Sequence, residues 1–216
     1  MATMRTDELN IVSEVAITKS DRKVIPIAEY FRSMELPDEE IERRENLANI
    51  IFGVLAMVFT MIDASEITET EVDKNYFIDL IVRKLKDSYD KTLGQDVYDT
   101  RLQEFATAVV DTTLKNISDS YFLSDDRAIL DAENESNLLC NDVYYQQAIK
   151  SGCTKKRWLT MRDNRVRHTH KEVDGEETSI TQPFTVGNSQ MLFPCDLSLG
   201  ANMREIINCR CSCEYY

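Results

Sequence analysis

The chain has 216 residues, of which 43% are hydrophobic and 29% are charged, and its formal net charge is −13. This length suits one domain with an extra subdomain or two small domains, and the apolar content is sufficient for a packed core. The acidic balance argues against a protein that coats nucleic acid with its whole surface. Only 6 Gly and 4 Pro argue against disorder and against an all-β fold.

The most apolar segment lies in the first third of the chain. The N-terminal residues MATMRTDELNIVSE contain no apolar h-region, so we expect no secretory leader. Residues 47–62 (LANIIFGVLAMVFTMI) are apolar on every face of a helix, but they include Asn49 and Thr60 and are short for a bilayer span. We predict a buried central helix that is packed on all sides and no association with membranes; a weak membrane or oligomer contact is the alternative.

Three more helices are predicted from the spacing of apolar residues. Residues 69–91 and 97–118 both carry apolar side chains at i, i+3 and i+4. A third helix follows Ser124, which is a suitable N-cap with two Asp behind it, and ends near Lys150 and Gly152, a suitable C-cap. These helices predict a packed bundle without chemistry of its own.

The character of the sequence changes after Gly152. Residues 155–161, 182–187, 190–196 and 207–216 are short strand candidates separated by turn sequences. The predicted fold class is therefore α+β: a mostly α-helical N-terminal region with a small C-terminal β-containing subdomain. A tail of about 65 residues is at the edge of what a hydrophobic core alone stabilises, so a bound metal or docking onto the helices would help it.

Charge is distributed unevenly along the chain. Residues 1–149 carry 15 Lys/Arg against 30 Asp/Glu, whereas residues 150–216 carry 10 against 8. Seven basic residues and one acid, Asp163, lie between Lys155 and Lys171. We therefore expect the two parts to have different partners, and residues 155–171 are a candidate contact for DNA phosphates.

Cysteine chemistry is confined to the second half of the chain. The six Cys are Cys140, Cys153, Cys195, Cys209, Cys211 and Cys213. Without an export signal, free thiols or a metal site are favoured over disulfides. Residues 209, 211 and 213 alternate, so in an extended strand their thiols would share one face.

The chain combines these thiols with His170 as a candidate zinc site. His170, Cys209 and Cys211 offer three ligands of the types that Zn²⁺ prefers. The sequence does not determine the fourth ligand, for which there are four candidates: His168, Cys195, Cys213 and Asp174. Buried thiols that pack the small core, or a disulfide within it, are the alternative.

Charged residues around position 165 predict a polar network. Arg165 and Arg167 have the same parity, so on a strand both would face one way and could bind phosphate. They could equally form ion bridges to Asp163, Asp174 or Glu135, since the guanidinium fork suits carboxylates. We favour a network that stabilises the fold over direct DNA contact and over catalysis.

Three other residues near this network have structural interpretations. Trp158, the only Trp of the chain, is interpreted as the core anchor of the subdomain. Asp174 and Gly175 predict a tight turn, with the glycine at positive φ. His168 is interpreted as a solvated side chain beside Arg167.

The ordered motifs of the tail resemble a known family. They are Trp-x-Thr-x-x-Asp-x-Arg-Val-Arg-x-x-His-x-x-x-Asp-Gly from residue 158, Phe-x-Val from 184, Pro-x-Asp from 194 and Ile-Asn-Cys-Arg-Cys from 207. Over residues 125–213 the chain is similar to the phage head-morphogenesis family of minor head proteins, the Mu F-like domain. Glu135 and Asn141 match that family's upstream helix, although Asn134 stands at its Thr position. Cys195 stands where relatives often have Gly.

The resemblance implies a phage or prophage virion protein. Its relatives are minor head components that associate with the portal protein, enter the procapsid in few copies, and affect head assembly, DNA packaging or DNA exit. We accordingly expect residues 1–124 to be a helical region that docks on portal, capsid or scaffold proteins and residues 125–216 to be the Mu F-like domain. The expected location is the head interior or portal vertex of the virion, with the host cytoplasm during assembly.

The expected function is non-enzymatic, and no residue is assigned as catalytic. Some relatives carry this domain ahead of a toxin domain; because the chain ends at Tyr216, we expect none here. The alternative is a metal-dependent nuclease or toxin-like hydrolase that uses His170, Asp174 and Glu135, although the chain has no His-Glu-x-x-His motif.

Overall fold

The computed structural model describes residues 24–64, 71–93 and 99–216. Its helices are α1 (Ile27–Arg32), α2 (Asp38–Ala64), α3 (Glu71–Leu93), α4 (Asp99–Lys115), α5 (Asp125–Lys150), α6 (His168–Glu172) and α7 (Met203–Ile206), with a 3₁₀ turn at Ser120–Leu123. The strands are β1 (Lys155–Leu159), β2 (Glu177–Ser179), β3 (Phe184–Val186), β4 (Ser189–Met191) and β5 (Ser212–Tyr215). Long helices thus precede a short strand-containing region, and the predicted α+β class is confirmed.

The described chain divides into two compact units. The helical unit comprises the described residues of 24–27 and 45–132, and the mixed unit comprises residues 28–44 and 133–216. The chain thus passes between the units within α2, after Arg44, and within α5, after Ala132. The predicted boundary between residues 124 and 125 stays a prediction.

The helical unit has an apolar core with one buried cation. Its buried side chains include Leu55, Phe59, Ile81, Leu85, Phe105 and Val109. Arg127 is also buried. It donates hydrogen bonds to Thr113 Oγ1 (2.8 Å) and to the Phe122 carbonyl (3.1 Å). Its guanidinium also lies 5.3 Å from the centre of the Phe59 ring. These contacts offset the cost of burying the charge.

Among the described residues, helix α2 is packed on one face. Leu47, Ile51, Leu55 and Phe59 are buried, whereas Ile50 is 37% exposed. The described residues thus cover one face of the helix, and packing on all sides stays a prediction. By length and composition this helix could cross a membrane, but 39% of its most apolar stretch is buried in the protein, and the core helix of a soluble protein meets the same criterion. The absence of membrane association stays a prediction.

A three-stranded antiparallel sheet organises the mixed unit, in the order β2-β1-β5. In its register Arg157 of β1 lies opposite Glu177 of β2 and Glu214 of β5. The Arg157 guanidinium pairs with both carboxylates, at 2.9 Å to Glu214. Cross-strand pairs of opposite charge stabilise such a sheet by a few tenths of a kcal/mol, about 0.2–1 each.

The other face of β1 is buried against the β3-β4 hairpin and α6. Trp158 is fully buried, and its ring meets the Phe184 and His170 rings edge to face at centroid distances of 5.2 and 5.8 Å. This is the core position predicted for Trp158. The alternation of exposed and buried residues along β1 follows from the period of two in a strand.

The strand predictions were correct at residues 155–159, 184–186, 190–191 and 212–215. They were wrong at residues 192–196, which form a turn, and at residues 207–211. That segment lies outside β5, because Asn208 has φ 57° and turns the chain before the strand begins. Consequently Cys209, Cys211 and Cys213 do not share one strand face. Strand β2 was missed, since Glu177–Ser179 is short, lies at the sheet edge and has no apolar alternation.

Lys156 is a buried cation on β1. Its ammonium donates to the Leu192 carbonyl and lies 4.9 Å from the centre of the Phe184 ring and 5.2 Å from that of Tyr145. Burial lowers the pKa of Lys156 to about 8. The protonated form is thus less favourable in the folded protein than in the unfolded chain.

We predict that Lys156→Met changes the pH dependence of stability. Below pH 8 both states of the wild type are protonated, and the cost of burying the charge is constant. Between pH 8 and about 10.4 the folded state has lost the proton that the unfolded state still binds, so the wild type gains stability relative to the variant. Urea unfolding in reductant from pH 6.5 to 10.5 measures this difference. Lys155→Met, at an exposed neighbour, is the control; an unchanged difference between wild type and Lys156→Met at pH 7 and 10 contradicts the prediction.

Candidate metal centre

His170, Cys209 and Cys211 meet in the interior of the mixed unit. Their ligand atoms all lie within 4.8 Å of one another, and all three residues are buried. The Nδ1 atom of His170 is 3.3 Å from the Cys211 sulfur and 3.7 Å from the Cys209 sulfur. The three residues proposed from the sequence as metal ligands therefore do come together, and their arrangement could hold a metal ion.

The His170 ring is oriented by an acid on the side away from the sulfurs. Its Nε2 atom is 3.1 Å from Glu205 Oε2, and the same carboxylate oxygen accepts a hydrogen bond from Thr169 Oγ1 at 2.8 Å. Glu205 lies on α7 and His170 on α6, so two short helices present the pair. Carboxylates commonly hold metal-binding histidines in this way.

Cys209 is the common neighbour in the group. It interacts with the Cys195 and Cys211 thiols and with His170, and the backbone N–H of Cys211 lies 3.5 Å from its sulfur. These hydrogen bonds, those from Cys195 and Cys211 foremost, outweigh burial and lower the pKa of Cys209. The thiols of Cys195 and Cys211 donate hydrogen bonds to the Cys209 sulfur. This donation, together with burial, raises the pKa values of both thiols. Among these three thiols, deprotonation is therefore most favourable at Cys209.

Protonation of His170 follows from the same interaction. Burial opposes the imidazolium, but the hydrogen bond to Cys209 and the charge of that sulfur outweigh it and raise the pKa of His170. The interaction between Cys209 and His170 thus favours the charged form of each. Metal binding would displace that proton, since both ligands bind in their deprotonated forms.

A row of asparagines on α5 holds the cysteine loop by its backbone. Asn137 donates to the Cys209 carbonyl at 2.8 Å, and Asn141 donates to the carbonyls of Cys211 and Pro194, both at 3.2 Å. One turn earlier Asn134 accepts from the Asn208 N–H at 2.7 Å. Since irregular buried backbone needs partners for its polar groups, these amides replace the hydrogen bonds of a strand.

Arg44 fixes the orientation of the two buried amides. Its side chain is fully buried and donates to Asn137 Oδ1 at 3.0 Å and to Asn141 Oδ1 at 2.9 Å. Glu40 accepts from the same guanidinium at 3.0 Å. With both amide oxygens engaged, the amide nitrogens must face the loop carbonyls.

Sequence analysis missed Arg44 and Asn137 as site residues. Arg44 stands at the start of an apolar helical run in a strongly charged segment, where an arginine looks solvated. The spacing of Asn137 and Asn141, four residues apart on a helix, is the signal that could have indicated one shared face.

The predicted network around Asp163 exists, with a different main partner. Asp163 accepts from the Arg210 guanidinium at 2.7 and 2.8 Å, and Arg165 Nε lies 3.3 Å away. Arg167 donates to the Ile207 carbonyl rather than to a carboxylate. The strand-parity argument for Arg165 and Arg167 is wrong, because Arg167 caps the start of α6 and the preceding residues form a turn.

Asp174 lies in a separate part of the unit's polar network. It accepts from the Thr160 backbone N–H at 2.9 Å and from Arg162 Nε at 2.9 Å. Partial burial opposes its charge, but these hydrogen bonds outweigh burial and lower the pKa of Asp174. Gly175 follows at φ 80°, as the predicted turn requires, and its N–H donates to the Trp158 carbonyl at 2.8 Å. Glu135 is buried.

Most cations of the predicted DNA contact have partners within the chain. Lys156 is buried, Arg157, Arg162 and Arg165 pair with carboxylates, and Arg167 donates to a backbone carbonyl. Lys155 and Lys171 are exposed. Contact of residues 155–171 with DNA stays a prediction. Fewer unpaired positive charges are available for it than the sequence suggests.

The four candidates for a fourth ligand have different surroundings. His168 is exposed and lies 3.4 Å from Glu172, as its solvated interpretation requires. Asp174 is engaged as described above, and Cys213 lies on β5 next to Lys156 and Tyr215. Cys195 is buried beside Cys209. All six cysteines are free thiols.

Comparisons with known proteins relate this site to one family. The family model described as "Phage Mu protein F like protein" matches residues 102–214, which begins upstream of the predicted resemblance. An NAD(+)–arginine ADP-ribosyltransferase, EFV, of Enterococcus faecalis is 33% identical over 69 residues, which are 32% of this chain and 14% of that protein. The chain thus spans about one seventh of that relative. No solved structure matches.

We predict that Asn141→Ala destabilises the protein by about 2–4 kcal/mol. The change leaves two loop carbonyls and one arm of Arg44 without their partner in a buried site. Gln146→Ala is the matched control, because Gln146 lies on the same helix and its exposed amide reaches only Asp142, at 3.2 Å, within that helix. Urea unfolding of both variants measures the effect. Equal stabilities of Asn141→Ala and Gln146→Ala would show that the amide does not hold the loop.

Proposed function

Since this chain belongs to the phage Mu protein F-like family and is a phage head-related protein, we propose that it is a minor head protein that acts in head morphogenesis and associates with the portal. The family match supports this proposal, because it covers just over half of the chain and includes α5 and the described strands up to residue 214 in β5. In this proposal the protein is assembled in the host cytoplasm and resides in the virion, in the head interior or at the portal vertex.

The proposed docking region is the acidic part of the chain, residues 1–124. The described α3 and α4 carry exposed acids, among them Asp79, Asp87 and Glu104. An acidic surface complements a basic surface on a portal, capsid or scaffold protein and accelerates association with it. The same charge repels DNA, which supports assigning this region to protein contact.

The protein is non-enzymatic in this proposal. The hydrolase alternative requires Asp174 beside His170 as part of a metal-activated centre. The acid next to His170 is instead Glu205, whereas Asp174 accepts from Thr160 and Arg162. A ligand set rich in buried thiols is typical of structural zinc rather than of hydrolytic zinc. The short, partial similarity to the ADP-ribosyltransferase does not support a hydrolase.

Zinc is the proposed metal of the His170, Cys209 and Cys211 group. Thiolate and imidazole ligands select zinc over magnesium and calcium, which prefer oxygen. A buried His–Cys–Cys group next to a carboxylate that orients the imidazole fits this metal. Its role here would be to stabilise a small domain whose hydrophobic core is limited.

We expect reversal of acidic charge on α3 to weaken portal binding. Asp79→Lys combined with Asp87→Lys should lower the affinity for the portal protein of the same phage or prophage by about tenfold at low salt. Glu172→Lys combined with Glu176→Lys, which changes the charge equally in the mixed unit, is the control. Binding is measured by co-purification and by titration at two salt concentrations. If only the Glu172→Lys, Glu176→Lys variant lost binding, the docking surface would lie on the mixed unit and the proposal for residues 1–124 would be contradicted.

The purified protein should contain about one zinc per chain and should not cleave DNA. His170→Ala should lower the zinc content. Elemental analysis after chelator dialysis, and a plasmid-nicking assay with Mg²⁺, Mn²⁺ or Zn²⁺, measure the two properties. Nicking by the wild type that disappears in His170→Ala would contradict the non-enzymatic proposal and support the hydrolase.

A further inference from the structure

We propose that Cys195 is the fourth ligand and that it completes a closed Cys₃His zinc site with His170, Cys209 and Cys211. This inference rests on the zinc assignment of the proposed function and extends it. It names the complete ligand set and, with it, the class of site. It does not depend on portal association.

Cys195 is placed at the group by a second loop. Its residue is 2% exposed, and its sulfur lies 3.9 Å from the Ile206 carbonyl oxygen and interacts with the Cys209 thiol. It borders the group formed by His170, Cys209 and Cys211, whose ligand atoms all lie within 4.8 Å of one another, and would have to move towards it to share a metal ion. The loop carrying it and the loop carrying Cys211 are held by one side chain, because Asn141 donates to both Pro194 and Cys211. The amide that positions one sulfur therefore also positions the other.

The backbone at Cys195 indicates that its side chain has a role. Its φ is 72°, in the left-handed region that favours glycine. A side chain in this conformation is strained, and such strain is concentrated at functional sites. A glycine would fit the turn without strain, so the cysteine occupies a position with an unfavourable backbone conformation where its thiol reaches Cys209.

The other three candidates lack this placement. His168 has an 85% exposed side chain and lies beside Glu172. Asp174 is occupied by the Thr160 N–H and Arg162. Cys213 lies on β5 beside Lys156 and Tyr215, and its interaction with Cys209 is electrostatic only. Cys195 is the candidate whose thiol forms a hydrogen bond with Cys209.

Hydrogen-bond donors surround the sulfurs as they do in thiolate sites. The Asn137 amide lies 3.9 Å from the Cys195 sulfur, and the Cys211 N–H lies 3.5 Å from the Cys209 sulfur. The Trp158 indole N–H has no partner of ordinary geometry among the described residues, and it lies close enough to Cys211 to favour its thiolate. A fully buried indole N–H without an acceptor is costly unless an anion faces it.

The remaining charge of such a site is offset by a neighbouring arginine. Three thiolates and one neutral imidazole around Zn²⁺ leave one net negative charge. Arg167 stabilises negative charge on the Cys195 sulfur. Each thiol releases its proton to solvent as the metal binds. The opening between Met161, Arg167, His170 and Asn208 gives a path for the ion to enter.

Four protein ligands leave no position for water or substrate. Tetrahedral zinc with a full set of Cys and His ligands is structural, whereas catalytic zinc keeps an open position. The ion would join two irregular loops and α6, three segments that share no strand pairing. The site would thus act as a cross-link in a domain with few regular hydrogen bonds.

Cobalt substitution of the full chain tests the ligand set. The variants are Cys195→Gly, which suits the positive φ, Cys195→Ser, which keeps a weaker oxygen ligand, and Cys153→Ser, which changes a half-buried cysteine outside the group. Co²⁺ bound by the wild type should show tetrahedral d–d bands and a thiolate charge-transfer band. Cys195→Gly should lose about one third of that band and bind zinc at least about 100-fold more weakly in chelator competition. Cys153→Ser should match the wild type.

Two kinds of result would overturn the inference. The first contradicts only the assignment of Cys195, and the second also contradicts the zinc assignment. If Cys195→Gly and Cys195→Ser keep the wild-type band and affinity, Cys195 is not a ligand, and the zinc assignment on three residues stands. If the reduced wild type binds neither Zn²⁺ nor Co²⁺, or if mass spectrometry shows a Cys195–Cys209 disulfide in its place, the zinc assignment fails as well. Circular dichroism of each variant at saturating metal verifies that the fold is retained.

Discussion

The mixed unit depends on two asparagine amides that face an irregular loop. Asn137 and Asn141 lie one helical turn apart on α5 and donate to the carbonyls of Cys209, Cys211 and Pro194. The loop has no strand partner for these carbonyls, and a buried carbonyl without a donor is costly. Arg44 occupies the amide oxygens, so neither amide can flip. A buried charge with three hydrogen-bonded partners thus sets the position of the loop.

The convergence of the candidate ligands follows from this constraint. Asn141 connects the loop of Cys195 to the loop of Cys211, and Glu205 turns the imidazole of His170 towards the same point. Trp158 closes the group from the sheet side. The arginines nearby, such as Arg162 and Arg165, neutralise acids of the same unit rather than forming a cationic surface.

The sequence predicted the fold class, the long helices and the three residues of the metal group, because these depend on periodicity and on ligand chemistry. It did not predict the path of residues 207–211, since alternating cysteines suggest a strand and the positive φ of Asn208 prevents one. Nor did it identify Arg44, whose importance arises from contacts with residues 93 and 97 positions away. Local patterns cannot reveal partners at such separations. Similarly, Arg210 is the main partner of Asp163 although they are 47 residues apart.

The proposed closed Cys₃His site would stabilise the mixed unit and leave no position for a substrate. X-ray absorption at the zinc edge of the purified, full-length protein tests it most directly, because the spectrum counts sulfur and nitrogen ligands. The account predicts about three sulfurs near 2.3 Å and about one nitrogen near 2.0 Å, with no oxygen shell. A shell of two sulfurs with nitrogen and a water oxygen would contradict it, since that site would be open to substrate.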